Sequence, residues 1–142
     1  MDSIIRSQMN EHGQVLNIRV HEIAHEYLIG DGVRLRQIFL NLLSNAVKYT
    51  PENGTVKVSV TDAADCIRIC VADSGPGVAP EERGRIFDPF YRILGSKETG
   101  TGLGLSIVKT IAQRTSTEIS LDWTDAVKKT GLTVTLTLKK AL

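Results

Sequence analysis

VRLRQIFLNLLSNAVKYT, residues 33–50, predicts an amphipathic helix whose apolar and polar residues lie in two separate lines. The apolar residues recur at the i, i+3, i+4, i+7 spacing of a face packed on a core, and they are Leu35, Ile38, Phe39, Leu42, Leu43 and Ala46. Asn41, Asn45 and Lys48 form the second line, because residues that advance about 100° each realign at this spacing. Amides beside a buried face stay there only if something satisfies their hydrogen bonds. This line therefore predicts a ligand site suited to a metal ion and phosphate oxygens.

The composition indicates one globular domain without a nucleic-acid or membrane footprint. The 142 residues are 42% hydrophobic and 23% charged, and 17 basic against 16 acidic side chains give a net charge of +1. Neither a membrane-spanning apolar run nor a signal peptide is visible, so we expect a cytoplasmic domain without direct membrane contact. Cys66 and Cys70 are four residues apart in a strand-like segment, too far apart to bridge, and we expect reduced thiols.

The remaining periodicities predict an α+β fold. The predicted strands are residues 15–20, 26–29, 55–61, 66–72, 118–123 and 132–139, and the further predicted helices are 2–11, 80–87 and 102–114. Residues 88–101 are expected to form a loop. This mixture predicts a two-layer α/β sandwich, with a mixed, mostly antiparallel sheet of about five strands covered by about three helices.

Two glycine clusters are candidates for ligand contact. In DSGPG, residues 73–77, Asp73 leaves a buried strand, and Gly75 and Gly77 permit a tight turn and the close approach of a flat ligand. A carboxylate there accepts hydrogen bonds from an exocyclic amine such as that of adenine, although the segment alone is more typical of a plain turn. GTGLG, residues 100–104, precedes an apolar helix whose free N–H groups attract anions, but it matches neither a Walker loop nor a dinucleotide fingerprint.

Four motifs in a fixed order carry a resemblance to a known family. They are NLLSNAVKYTP at 41–51, DSGPG at 73–77, IFDPFYR at 86–92 and GTGLGLSI at 100–107. With them the chain resembles the ATP-binding catalytic domain of a bacterial sensor histidine kinase, in the superfamily shared with gyrase, the ninety-kilodalton heat-shock chaperone and the MutL repair proteins. The resemblance implies the Bergerat ATP-binding fold, with ATP or ADP and Mg²⁺ as cofactors.

The resemblance assigns the phosphate end of a nucleotide site. Asn45 would coordinate Mg²⁺ through its amide oxygen, and Asn41 would lie beside the metal and its waters. Lys48 would reach a phosphate, and Arg92, rather than Lys97, would contact the terminal one. Asn41, Asn45, Lys48 and Arg92 are the implied catalytic residues. Backbone amides for the phosphates would come from Gly100, Thr101, Gly102, Leu103 and Gly104.

The resemblance also assigns the adenine end. Asp73 would bind the adenine amino group, and Tyr49 would cover the ring. Gly75, Gly77 and Val78 would shape the pocket wall, and Thr133 would contact adenine through water. Trp123, the single tryptophan, stands at a predicted strand end and is interpreted as a packing residue.

Asn41 bears on the reaction class. Hydrolysing members of the superfamily carry a glutamate base at this position, whereas an amide does not take a proton near neutral pH. The resemblance therefore implies a catalytic and ATP-binding domain over residues 1–142 that transfers the γ-phosphoryl group to a histidine on a separate dimerisation domain, and indirectly to a response regulator. The dimerisation and sensor regions are expected to be absent, the isolated domain monomeric, and the parent kinase anchored in the inner membrane.

Two other interpretations stay open. The fold also suits an anti-sigma-type protein serine kinase, or a nucleotide-regulated binding module without catalysis. His21-Glu22 and His25-Glu26 lack the Thr-Pro that follows a phospho-acceptor histidine, so both histidines are interpreted as structural or surface residues. The residues of the first and third motifs, at 41–51 and 86–92, favour the histidine kinase.

Overall fold

The computed structural model describes residues 7, 9–20, 32–89 and 104–139. The strands of this part form one sheet in the order β1-β2-β3-β5-β4. They are β1 Val15–Val20, β2 Thr55–Asp62, β3 Cys66–Asp73, β4 Glu118–Asp125 and β5 Thr130–Lys139. The helices are α1 Gly32–Tyr49 and α2 Gly104–Arg114, with a 3-10 helix at Pro80–Glu82 and a helical segment at residues 9–11.

The sheet is mixed and mostly antiparallel. β1 and β2 are parallel neighbours, and the other neighbouring pairs are antiparallel. A parallel pair needs a crossover connection, and α1 lies in the connection from β1 to β2. β5 lies between β3 and β4, so the β4–β5 hairpin returns beside β3. The predicted α+β class and mixed sheet are confirmed.

The core lies between the helices and one face of the sheet. α1 and α2 pack against each other, α1 also contacts β3, and α2 contacts β4. Strand residues alternate between the two faces, so that Leu136 and Leu138 are buried while Thr135 and Thr137 are half-buried on the opposite face. The largest fully buried side chains are Ile38, Leu43, Val56, Val71, Val108, Leu136 and Leu138. This arrangement gives the two-layer sandwich that the pattern predicted.

The element bounds follow the sequence prediction except after β3. The strands predicted at 15–20, 55–61, 66–72, 118–123 and 132–139 are found within two residues of those bounds. The predicted helix at 80–87 is wrong: a three-residue 3-10 helix is followed by turns. Gly84 disfavours a helix interior by about 1 kcal/mol, and the Arg83 N–H bonds three residues back to the Pro80 carbonyl instead of four.

Some predictions fall outside the described residues. They are the strand at 26–29, most of the loop at 88–101, and the first parts of the helices at 2–11 and 102–114. Cys66 and Cys70 are both free thiols, as expected.

Gln14 ties the C-terminal end of α1 to the start of the sheet. The last carbonyls of a helix have no intrahelical partner, and the Gln14 Nε2 donates to two carbonyls at this end, those of Val47 at 3.1 Å and Thr50 at 2.7 Å. Gln14 is 8% exposed and directly precedes β1. The Thr50 hydroxyl donates back to the Ala46 carbonyl at 2.6 Å. The end of α1 is therefore held beside the sheet edge.

Gln14→Leu is expected to destabilise the domain, because it leaves these two buried carbonyls without their donor. The free energy of unfolding should fall by about 1–3 kcal/mol, measured by urea denaturation. Gln113→Leu, at an exposed position on α2, is the matched control and should change stability little. Equal stability of the Gln14 variant and wild type would contradict the capping role.

Candidate functional site

The polar line of α1 lies at the border between core and solvent. The buried residues of this segment are Leu42, Leu43, Ala46 and Val47. Asn41, Asn45 and Lys48 are half-buried, and Ser44 is exposed. The amides and the amine thus follow one edge of the apolar stripe, as the spacing predicted. Tyr49, also half-buried, ends the helix.

Asp73 is a buried carboxylate at the end of β3. It is 4% exposed, and its Oδ1 accepts from the Gly75 N–H at 2.9 Å and the Leu132 N–H at 3.1 Å. Burial raises the pKa of this carboxyl above the usual aspartate value, and the hydrogen bonds from Leu132 and Gly75 oppose that rise. Both bonds fall on Oδ1, and no described residue bonds to Oδ2. Backbone N–H groups thus hold Oδ1, and Oδ2 remains to accept a hydrogen bond from a ligand.

The glycine loop that follows Asp73 is pressed against its neighbours. A Cβ on Gly75 would lie 2.5 Å from the Tyr49 carbonyl oxygen and 3.1 Å from the Asp73 Oδ1. Gly77 has φ +80°, and a Cβ there would lie 2.6 Å from the Trp123 ring. Side chains are excluded at both positions, as the turn required. The contact between Gly75 and the Tyr49 carbonyl also brings the C-terminal end of α1 against the loop that follows Asp73.

β5 contributes to this site through its backbone, which the sequence did not reveal. The Leu132 N–H bonds to Asp73, and the Gly131 N–H bonds to the Gly75 carbonyl at 2.7 Å. Gly131 has φ +74°, and a Cβ there would collide with the Asp73 carbonyl. Gly131, directly before the predicted strand at 132–139, was the available signal, but its role becomes clear only from the pairing of β5 with β3.

Thr133 needs a correction. It pairs with Ala72, one residue before Asp73, so strand alternation directs its side chain to the opposite face of the sheet. There its hydroxyl lies 3.0 Å from that of Thr124 on β4. The structure therefore does not bring the Thr133 side chain to Asp73; the neighbouring Leu132 N–H reaches it instead.

The other predicted site residues are distributed as follows. Val78 is 7% exposed and belongs to the core, and Phe87 packs against that core. Gly104 begins α2, which packs against α1. The predicted residues that lie outside the described part of the chain are Arg92, Lys97, Gly100, Thr101, Gly102 and Leu103.

The donor set suits a nucleotide more than an isolated metal ion. Within residues 7, 9–20, 32–89 and 104–139, three or more His, Cys, Asp or Glu side chains nowhere form a metal-binding group. A hard cation at Asn45 would therefore take an amide oxygen from the protein and its other oxygens from elsewhere, as Mg²⁺ commonly does with phosphates and water. In the same described ranges, no helix is long and apolar enough to span a membrane.

Comparison with known proteins gives the same family from sequence and from structure. The family model "Histidine kinase-, DNA gyrase B-, and HSP90-like ATPase" matches residues 30–142. The chain is 34% identical to the sensor histidine kinase WalK of Bacillus subtilis over 140 residues, covering 95% of this chain and 22% of WalK. It therefore spans about a fifth of the length of this curated relative.

Two solved structures have the same fold. The mycobacterial sensor histidine kinase MprB matches with a TM-score of 0.80 at 28% identity, covering 97% of this chain and 89% of the solved one. Full-length ShkA, solved in complex with AMPPNP, matches with a TM-score of 0.81 at 31% identity, covering 97% of this chain and 28% of ShkA. The chain belongs to the histidine kinase-, DNA gyrase B- and HSP90-like ATPase family, as a catalytic ATP-binding domain of the sensor histidine kinase type.

Proposed function

We propose that this domain binds Mg²⁺-ATP and donates its γ-phosphoryl group to a histidine on a separate dimerisation domain. The observation that carries the proposal is the contact of Gly75, in the loop after the buried Asp73 carboxylate, with the Tyr49 carbonyl at the end of α1, the helix that carries Asn41, Asn45 and Lys48. A carboxylate at one end suits the amine of a base. Amides and an amine at the other end suit a metal ion and phosphates.

At the adenine end, Asp73 is the recognition residue. Backbone N–H groups hold its Oδ1, so Oδ2 is the oxygen that accepts from the adenine amino group. A buried carboxylate is costly without donors, and the adenine amine supplies a further one. Tyr49 offers apolar surface to the ring, and residues 75–78 form the pocket wall, with the side-chain direction of Gly77 taken up by Trp123.

At the phosphate end, Asn45 is the metal ligand and Lys48 the phosphate contact. Bound Mg²⁺ would neutralise charge on the phosphate oxygens. The N-terminus of α2 at Gly104 adds the positive end of a helix dipole. Arg92 and the amides of residues 100–103 are assigned to the phosphates from the resemblance alone.

Asn41 supports transfer over hydrolysis. It stands where hydrolysing relatives carry their base, and its amide orients water or metal ligands without removing a proton. The domain then positions ATP and stabilises charge, which is most of what phosphoryl transfer requires of a protein. The phosphorylated dimerisation domain would in turn pass the phosphoryl group to a response regulator.

Asp73→Asn is expected to abolish adenine recognition while keeping the fold. The Asn Oδ1 can accept the same two N–H bonds, but its NH₂ then faces the adenine amine, donor against donor. The Kd for Mg²⁺-ADP, measured by calorimetry, should rise roughly 10- to 100-fold. Since the substitution removes a buried charge, the free energy of unfolding at neutral pH should not decrease. Asp65→Asn, exposed in the β2–β3 turn, is the control. Unchanged affinity in Asp73→Asn would refute the adenine assignment.

The pH dependence follows from the raised pKa of Asp73. Its folded pKa exceeds its unfolded value, so its ionisation destabilises the fold at neutral pH, and this penalty disappears as pH falls through the folded pKa toward the unfolded one. Wild type should therefore gain thermal stability relative to Asp73→Asn on acidification, while its nucleotide affinity falls over the same range. Parallel melting profiles of the two proteins at all pH values would contradict this.

The transfer reaction is tested with ATP labelled at the γ-phosphate and the purified dimerisation domain of the parent kinase. We expect acid-labile label on that domain, lost when its acceptor histidine is replaced by glutamine. The catalytic domain alone should neither label itself nor release phosphate appreciably. Rapid phosphate release would refute the interpretation of Asn41, and acid-stable label on serine would indicate a serine kinase instead.

A further inference from the structure

Arg83 connects the glycine loop to strand β4, although it belongs to none of the four motifs. It directly follows the 3-10 helix Pro80–Glu82. Its Nε donates to the Val78 carbonyl at 3.1 Å, and its guanidinium carbon lies 5.0 Å from the centroid of the Trp123 ring. One side chain thus contacts both the segment after Asp73 and the edge strand of the sheet.

Trp123 packs against the glycine loop, residues 75–78. It pairs with Leu132, whose N–H bonds to Asp73, so both residues stand in the same cross-strand row as the carboxylate. A Cβ on Gly77 would lie 2.6 Å from Cζ3 and 2.8 Å from Cε3 of the indole. The ring therefore lies directly against the Gly77 backbone, and the guanidinium of Arg83 lies over the same indole.

The guanidinium is held in place instead of extending into water. The Arg83 Nη2 is buried and has no hydrogen-bond partner among the described residues. Leaving such a donor unpaired is unfavourable, and the contact with Trp123 and the bond to Val78 offset part of the hydration that the group gives up. A cation over an aromatic face is attracted more strongly when it is desolvated.

We propose that Arg83 and Trp123 form a clamp that fixes residues 75–78 in the position needed to bind adenine, and that Arg83 is a positioning residue for nucleotide binding. This rests on the proposed function. The loop is held at Gly75 by the Gly131 N–H, at Gly77 by the indole and at Val78 by Arg83. Two glycines make this segment lose more backbone entropy than other sequences on ordering, so restraint before binding raises affinity.

Arg83→Met tests the clamp, since it keeps an apolar stem of similar length and removes the cation and the Nε donor. The Kd for Mg²⁺-ADP should rise by up to roughly fivefold, the limit reached if the whole free energy of such a cation–π contact orders the loop before binding. Arg85→Met removes the same charge from an exposed position two residues away and should leave the Kd unchanged. Arg83→Lys should recover only part of the affinity, because an ammonium cannot stack as a plane and donate from Nε.

A double-mutant cycle separates positioning from a general loss of packing. If Arg83 acts through Trp123, the double variant should lose less binding free energy for Mg²⁺-ADP than the sum of the losses in Arg83→Met and Trp123→Leu. If Trp123→Leu does not fold, Trp123→Phe replaces it, with a weaker stack and an intermediate effect. Additive effects would overturn the clamp.

Two readouts need no nucleotide. Trp123 is the single tryptophan, so its emission reports the stack directly and should change in Arg83→Met but not in Arg85→Met. The Gly75 amide should also exchange with solvent faster in Arg83→Met. If wild type binds Mg²⁺-ADP and Arg83→Met binds it equally well, the positioning role falls and the proposed function stands. If wild type does not bind nucleotide, both fall.

Discussion

A buried carboxylate requires hydrogen-bond donors, and the chain supplies those of Asp73 from two segments far apart in sequence. The Gly75 N–H comes from the loop directly after β3, and the Leu132 N–H comes from β5. The second donor is available only because β5, and not β4, is the neighbour of β3. The strand order of the sheet is therefore a condition for the site, and its long-range pairing has to form before Asp73 is satisfied.

The parallel pair at the other edge has a comparable consequence. Because β1 and β2 run in the same direction, α1 must return along the sheet, and its C-terminal end arrives near the start of β2. Gln14 closes that end, and the Tyr49 carbonyl packs against Gly75. The topology thus joins the helix that carries the amides to the strand that carries the carboxylate, with a glycine at the point of contact.

The sequence predicted the parts of this site that depend on local pattern. Asn41, Asn45 and Lys48 follow from helical spacing, and Asp73 with its glycines follows from a buried strand and a turn. Leu132, Arg83 and Gln14 were missed because their roles depend on which segments meet in space. Thr133 was assigned an adenine contact through water, whereas its side chain lies on the face of the sheet opposite Asp73, because neighbouring residues of a strand point to opposite faces. The helix predicted at 80–87 was wrong because apolar spacing takes no account of the cost of Gly84 inside a helix.

The proposed reaction also gives a physical reason for an amide at position 41. Water is a weak nucleophile that must lose a proton as it attacks, so its reaction needs a base beside the metal. A neutral imidazole attacks through a nitrogen lone pair and keeps its proton on the other nitrogen, so the same base is not required. Replacing a carboxylate by Asn41 then suppresses the attack of water far more than that of histidine. The preference for transfer to histidine over hydrolysis would thus come from the inability of Asn41 to take a proton from water.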